Sequence, residues 1–139
     1  MATLDEIEAI KQLKARYFRL MDTKQWEQFG AIFTEDATLA ASPDPNETFR
    51  GRADIVRRVS AALREATTVH HGHMPEIELT GADTARGIWA MYDFVDLPQL
   101  VLHGWGHYHE EYAKQGGAWR IRRSRLTRLR LDITPKSKS

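Results

Sequence analysis

Apolar side chains in the first half of the chain recur at the spacing of amphipathic helices. Between Leu4 and Leu20 they return every three or four positions, which keeps them on one helix face. The same spacing predicts a short second helix after Asp22 and a third helix that begins after Gly51. Between these two helices, residues 36–41 are expected to form a short strand. The first half is therefore predicted to be mainly helical.

The second half of the chain changes to the period of extended strands. Long stretches with alternating apolar and polar positions are separated by turn-forming residues such as Gly, Asp and Pro. Long strands joined by tight turns favour an antiparallel sheet, and helices that precede the strands favour an α+β fold. Such a sheet buries one face against the helices, and the arginines after Trp119 suit its solvent-facing side. The predicted strands are residues 69–79, 85–96, 102–112 and 119–131.

Length and composition favour one domain and narrow the classes of function. A chain of 139 residues fits a single domain, expected over residues 1–134 with a polar tail at 135–139. It contains no cysteine, which excludes disulfides and thiolate metal sites. Its 20 basic and 19 acidic side chains give a net charge of +1, which argues against a nucleic-acid partner. With no membrane-spanning run and no signal peptide in this sequence, we expect a cytoplasmic protein.

Asp22, at the end of the predicted first helix, is the first candidate for chemistry. A carboxylate at a helix C-terminus faces the negative end of the helix dipole, which is locally unfavourable. Asp22 could instead point into a pocket formed by the helices and the sheet. It could also cap the second helix, because Asp22 and Gln25 have the spacing of a capping box. The spacing leaves both alternatives open.

A cluster of histidines at the start of the first long strand is the second candidate. His70, His71 and His73 are half of the six histidines in the chain. An imidazole is the natural general base near neutral pH. A carboxylate on one ring nitrogen would fix the tautomer and leave the other nitrogen to accept a proton. The cluster could equally consist of surface or packed histidines without chemistry.

Strict alternation along this strand does not place His70 on the core face. It puts His71 on the same face as Ile77, and His70 on the opposite one. His70 can therefore turn towards the core only if the strand contains a bulge, for which Gly72 and Pro75 are suitable places. Without a bulge, a different histidine of the cluster would face inward.

A later strand carries a row of polar and aromatic side chains on one face: His103, Trp105, His107 and His109 have the same parity. This face could line the pocket and bind substrate oxygens, or it could form the solvent face or a subunit interface. The two His-x-His pairs could hold a metal ion, but no Glu follows at the spacing that a cupin-like site needs, so we expect no metal. Motifs for nucleophilic catalysis or phosphate binding are also missing from the sequence.

Four stretches of the sequence, in the same order along the chain, resemble the nuclear transport factor 2-like superfamily, in particular its SnoaL-like and scytalone dehydratase-like branch. The resemblance implies a cone-shaped, curved antiparallel sheet packed on three N-terminal helices. It also implies a homodimer or homotrimer, since members often assemble through the outer sheet face. The stretches are residues 17–22 leading to Trp26, 33–37, 49–52, and 106–109 running to 117–121.

The resemblance also implies roles for individual residues. In two lyases of this branch an Asp pairs with a catalytic His, and Asp22 and His70 match those two positions. It further places His109 near a pocket amide of the family, although a histidine stands here in place of that amide. Tyr17, one helical turn before Asp22, is a possible hydrogen-bond donor to the substrate. Its alternative is plain core packing.

The sequence thus favours a cofactor-independent, dehydratase-like lyase or isomerase with Asp22 and His70 as its catalytic pair. The expected substrate is an apolar cyclic small molecule, such as a polyketide, a terpenoid or a steroid-like compound. The alternative is a non-catalytic ligand-binding or dimerisation domain of the same fold; an oxygenase β-subunit ranks lower, because such chains are usually longer. The expected substrate-binding residues are Tyr17, Trp26, His73, Trp89, Trp105 and His109.

Overall fold

The computed structural model describes residues 3–137. The helices are α1 (Thr3–Asp22), α2 (Trp26–Ala31) and α3 (Arg52–Leu63), with one turn of 3-10 helix at Pro45–Glu47. Two short strands lie between the helices, and four long ones follow them. The strands are β1 (Phe33–Ala40), β2 (Thr48–Arg50), β3 (Thr67–Leu79), β4 (Thr84–Asp96), β5 (Leu100–Gln115) and β6 (Ala118–Pro135).

The six strands form one curved sheet in the order β2-β1-β6-β5-β4-β3. The strands from β3 to β6 pair in antiparallel fashion with their neighbours in the chain, as predicted. β1 pairs parallel to β6, so the sheet is mixed rather than wholly antiparallel. Because these two strands are far apart in the chain, no tight turn joins them and none forces an antiparallel pairing. The α+β fold expected from the sequence is confirmed.

The core lies between the helices and the inner face of the sheet. The inward residues of α1 include Ile10, Leu13 and Leu20, each at most 3% exposed, and they follow the helical spacing noted in the sequence. On β4 buried and less buried positions alternate, as expected for a strand with one face on the core. The helices and the inner face of the sheet therefore enclose the apolar side chains between them.

β3 contains the bulge that the histidine cluster requires. The pairing with β4 shifts between His73 and Glu76, and Met74 in this interval adopts a positive φ of 41°. Before the shift His70 is buried, and beyond it Ile77 lies on the same, inner face. The predicted bulge is confirmed, and the structure places it beside Pro75 rather than at Gly72.

β6 contains two further irregularities in its pairing with β5. The register shifts opposite Glu111/Tyr112 and again opposite Trp105/Gly106. Each shift adds one unpaired residue to β6 and so changes which side chains face inward. As a result Arg128 faces the inside of the molecule, while Leu129 is 78% exposed. The expectation that the arginines after Trp119 all lie on the solvent side is wrong for Arg128.

The C-terminal segment is more ordered than a free polar tail. β6 continues to Pro135, and the backbone N–H of Lys136 donates to the carbonyl of Gln99 at 2.9 Å. The Lys136 ammonium also pairs with the carboxylate of Asp96. Residues 138 and 139 of the predicted tail lie outside the described residues. None of the helices within residues 3–137 combines the length and the apolar character of a membrane span.

Candidate functional site

Asp22 and His70 meet where the end of α1 packs on the start of β3. One carboxylate oxygen of Asp22 lies 2.7 Å from His70 Nδ1 and accepts the hydroxyl proton of Thr68 at 2.9 Å. The other oxygen accepts the backbone N–H of His70 at 2.9 Å. The cap position of α2 is Gln25, which makes no side-chain cap hydrogen bond. Asp22 therefore does not cap α2, and its carboxylate contacts His70 instead.

These contacts define the tautomer of His70. An ionised carboxylate only accepts hydrogen bonds, so Nδ1 carries the proton that bonds to Asp22, and in the neutral imidazole Nε2 keeps a free lone pair. Within residues 3–137 no protein group bonds to Nε2. His70 is 8% exposed and lines a cavity. This arrangement presents an imidazole nitrogen that can accept a proton from a molecule in the cavity.

The cavity has a volume of about 450 Å³ and lies between α1, α3 and the inner face of the sheet. Most of its wall is aliphatic or aromatic, which is typical of sites for apolar small molecules. A few polar side chains interrupt this wall, including the His70 imidazole. The apolar lining includes Met21, Leu39, Phe49, Val59, Leu63 and Leu126.

An ion pair crosses the inner face of the sheet beside His70. Asp93 pairs with His70 in the register of β3 and β4, and Arg128 of β6 donates to its two carboxylate oxygens at 2.8 and 3.1 Å. Arg128 must reach across β5 to do so, at the position of Gly104. A Cβ atom on Gly104 would overlap both the guanidinium and the carboxylate. The missing side chain at Gly104 therefore makes this ion pair possible.

Arg128 retains donor capacity towards the cavity. A guanidinium has five N–H groups, and the bonds to Asp93 use two of them. The side chain of Arg128 is 24% exposed, whereas that of Asp93 is 6% exposed. Asp93 thus orients a cation whose remaining N–H groups can bond to an oxygen atom of a bound molecule.

Tyr17 is the predicted binding residue that the structure brings to the cavity. Tyr17 is 5% exposed, and its ring packs against the ring of Tyr108, which also lines the cavity. Burial raises the pKa of the Tyr17 hydroxyl. The group therefore remains a protonated phenol that can donate a hydrogen bond.

Three other predicted binding residues lie on the outer face of the sheet and do not line this cavity. His73 precedes the bulge of β3 and is exposed, because it has the opposite parity to His70. Trp105 and His109 have the opposite parity to Tyr108 on β5 and also point outward. Burial and the nearby Arg125 lower the pKa of His109. Among residues 3–137 no three His, Asp or Glu side chains are grouped as metal ligands would be.

Two predicted tryptophans are also absent from the cavity wall. Trp26 lies on α2 with its ring centroid 5.6 Å from that of Phe29, on the far side of the helices. Trp89 is buried beneath the cavity, and its Nε1–H donates to the hydroxyl of Tyr112 at 2.9 Å. Both rings stabilise the core rather than line the site.

Several polar residues of the cavity are missing from the set predicted from the sequence. One signal could have indicated part of this set: Gly104 and Gly106 have the same parity on β5. Glycines that alternate along one strand face mark a place where other groups approach the backbone closely. The residues absent from the predicted set are Glu47, Arg58, Asp93, Tyr108, Ser124 and Arg128.

Comparisons with known proteins agree with this architecture. The family model of the SnoaL-like domain matches residues 2–125. "Probable cyclase FGR4" of Gibberella zeae is 31% identical over 93% of this chain and 95% of its own length. A candidate scytalone dehydratase from Novosphingobium aromaticivorans has 20% identity and a TM-score of 0.85, and covers 93% of this chain and 87% of its own.

A hexachlorocyclohexane dehydrochlorinase, LinA-type3 from Novosphingobium barchaimii, has a similar fold. Its TM-score is 0.81 at 20% identity, and the match covers 96% of this chain and 92% of that one. At this level of identity the structural likeness establishes the fold alone. The family model and the cyclase together cover most of the sequence. The chain therefore belongs to the family of SnoaL-like domain proteins, with the nuclear transport factor 2-like fold.

Proposed function

We propose that this protein is a lyase or isomerase that moves a proton within a small apolar molecule without a cofactor. The observation that carries the proposal is the Asp22–His70 pair, in which Asp22 holds Nδ1 and Nε2 remains free beside the cavity. This is the orientation that a general base needs, and positioned proton transfer of this kind accelerates reactions by about 10²–10⁴-fold.

In the proposed reaction, His70 Nε2 removes a proton from a carbon atom of the substrate. The carboxylate of Asp22 then stabilises the imidazolium. Electrons from the broken C–H bond move towards a neighbouring carbonyl, and the N–H groups of Arg128 stabilise the negative charge that develops on its oxygen. The imidazolium returns the proton either to a departing hydroxyl, which leaves as water, or to a different carbon. The first outcome is a dehydration and the second is an isomerisation.

The cavity and the relatives support the proposed class of substrate. A largely apolar wall around a few polar groups suits a cyclic molecule such as a polyketide, a terpenoid or a steroid-like compound. The relative of 31% identity is named as a cyclase, and structural neighbours are named as a dehydratase and a dehydrochlorinase. Cyclisation, dehydration and dehydrochlorination can all begin with removal of a proton from carbon.

The proposal can be tested with a reagent that needs only a base in an apolar site. The ring of 5-nitrobenzisoxazole opens to a coloured phenolate when a base removes its carbon-bound proton. We expect the wild-type protein to accelerate this reaction, and His70→Ala to slow it by about 10²-fold or more. Asp22→Asn should also slow it, because an amide that donates to Nδ1 would favour the wrong tautomer.

His71 provides the matched control, because it is the next residue on the same strand but points to the outer face. His71→Ala should leave the rate unchanged, and circular dichroism should show that each variant folds. Equal rates for the wild type and His70→Ala would refute general-base catalysis by His70. In that case the alternative, a non-catalytic carrier of small ligands, would account for the cavity.

A further inference from the structure

A buried polar network lies beneath the cavity, and the proton transfer proposed above does not use it. At its centre is Glu110 of β5, whose side chain is fully buried. One carboxylate oxygen accepts from Lys14 Nζ at 2.7 Å and from Ser124 Oγ at 2.6 Å. The other accepts from the Tyr112 hydroxyl at 2.8 Å. Of these neighbours, Ser124 also lines the cavity.

The surroundings of Lys14 favour the ammonium form of its amine. Nζ lies 3.6 Å from the ring centroid of Tyr17 and 3.7 Å from that of Tyr108. Two aromatic faces attract a cation, and the third direction is taken by the bond to Glu110. Burial lowers the pKa of Lys14, and the charge of Glu110 opposes that effect. The partner of an ammonium ion at this distance is a carboxylate, which only accepts hydrogen bonds.

A second chain of hydrogen bonds leads to the same carboxylate. The indole N–H of Trp89 can only donate, and it donates to the oxygen of Tyr112. The single proton of the Tyr112 hydroxyl is therefore directed at Glu110. Every neighbour of Glu110 in this network is a donor, so the hydroxyl proton of Ser124 also points to the carboxylate.

We propose that Ser124 determines specificity by accepting a hydrogen bond from a hydroxyl group of the substrate. A serine hydroxyl has one proton and two lone pairs, and in this structure the proton is held by Glu110. What Ser124 presents to the cavity is therefore an acceptor. The network of Glu110 favours this polarity, because a Ser124 hydroxyl that turned its proton to the cavity would remove a hydrogen bond from a buried carboxylate.

Ser124 and Arg128, the two polar residues that β6 contributes to the cavity wall, indicate a polar pattern for the substrate. Arg128 can only donate, and it lies four residues further along β6, about 13 Å at the usual rise of a strand. Leu126 lies between them on the same inner face. The substrate should therefore carry a hydroxyl group towards Ser124 and a carbonyl oxygen towards Arg128, on an apolar frame. This deepens the proposed function, since it specifies the class as hydroxylated cyclic ketones.

The inference can be tested by the binding of two probes that differ in one hydrogen-bond donor. In 2-naphthol the ring carries a hydroxyl, and in 2-methoxynaphthalene a methyl group replaces the hydroxyl proton. A net hydrogen bond of about 0.5–1.5 kcal/mol corresponds to about 2- to 13-fold in affinity. By titration calorimetry, the wild type should prefer 2-naphthol by about that factor. Ser124→Ala should lose the preference through weaker binding of 2-naphthol alone.

Two further variants make the result independent of folding and of catalysis. Ser124→Cys is nearly isosteric and a weaker acceptor, so its preference should be intermediate. His70→Ala should keep the full preference for 2-naphthol even though it loses proton transfer. The affinity for 2-methoxynaphthalene serves as the internal control for an intact cavity in every variant.

The proposal would be overturned if the wild type bound both probes equally, if it bound neither, or if Ser124→Ala kept the preference. A preference that disappears in His70→Ala and persists in Ser124→Ala would assign the hydroxyl to the dyad instead. A wild type that shows the preference but does not open 5-nitrobenzisoxazole would refute the proposed catalysis and leave the role of Ser124 standing.

Discussion

Replacing Gly104 with alanine should destabilise the protein by breaking an ion pair to which residue 104 contributes no atom. The added Cβ would occupy the space in which Arg128 meets Asp93. The guanidinium is the end of a flexible side chain, so it can move away at little steric penalty. Asp93, whose side chain is 6% exposed, cannot follow it. The variant therefore leaves a buried carboxylate without its cation.

The size of the effect follows from the burial of the two partners. Removing one member of a fully buried ion pair destabilises a protein by about 3–5 kcal/mol. Arg128 is partly exposed, and solvent screening reduces this to about 2–3 kcal/mol. In a domain of this length that free energy corresponds to a fall in Tm of about 6–9 °C. Thermal and urea unfolding followed by circular dichroism would measure both quantities.

A double-mutant cycle separates loss of the ion pair from a simple steric clash. In a background that carries Asp93→Ala and Arg128→Ala, the pair is already absent, and neither side chain reaches the position of the added Cβ. Gly104→Ala should then cost less than about 1 kcal/mol, because neighbouring substitutions that remove the same interaction do not add. The same loss in both backgrounds would show that the clash involves the backbone, and would refute the explanation through the ion pair.

Two further predictions concern buried charges away from Gly104. Lys14→Met should lower the free energy of unfolding by about 3–5 kcal/mol, because it leaves Glu110 buried and unpaired. Adding Glu110→Leu to this variant should restore part of the lost stability. If urea unfolding showed no recovery in the double variant, the prediction would be contradicted. A hydrogen bond from Lys114 lowers the pKa of Glu6 below 4.5. The ionised Glu6 carboxylate therefore stabilises the folded protein above pH 4.5, and this contribution is lost as the pH falls through the lowered pKa. The difference in Tm between the wild type and Glu6→Gln should therefore be largest near neutral pH and shrink in acid; a constant difference would exclude the linkage.

Much of the fold could be predicted from the sequence because each half of the chain has a single dominant period. The four long strands begin and end within a few residues of their predicted bounds, since glycine and proline turns separate them. The parallel pairing of β1 with β6 could not be derived in this way. It joins segments that are distant in the chain, and neither hydrophobic period nor turn chemistry carries information about such a pairing.

The pair of Asp22 and His70 could be predicted only in part from local patterns. Alternation alone favours His71 on the inner face, and the spacing of Asp22 with Gln25 equally suits a helix cap. The resemblance to a family selected His70, and the need for a bulge followed from the parity of Ile77. The bulge itself depends on the local conformation of Met74, which no sequence pattern specifies.

The acceptor and donor positions on β6 could not be predicted because two bulges interrupt the alternation of that strand. Each bulge exchanges the faces of the residues beyond it, so a regular run of arginines does not lie on one side. Ser124 and Arg128 consequently face the cavity. Glu110 presents a different difficulty, since its partner Lys14 lies on a helix 96 residues away in the chain.

The extra residue in β3 has a consequence for how a site of this kind can evolve. The turn after Leu79 anchors one half of the strand, while the pairing with β4 holds the other. Deleting Met74 would remove the bulge and leave both halves of the strand in register with β4, because Pro75 alone would then stand opposite Trp89. His70 and Ile77 would be separated by an even number of residues, so a regular strand would place both on the inner face. The bulge can thus be gained or lost with a single codon without changing which imidazole enters the cavity.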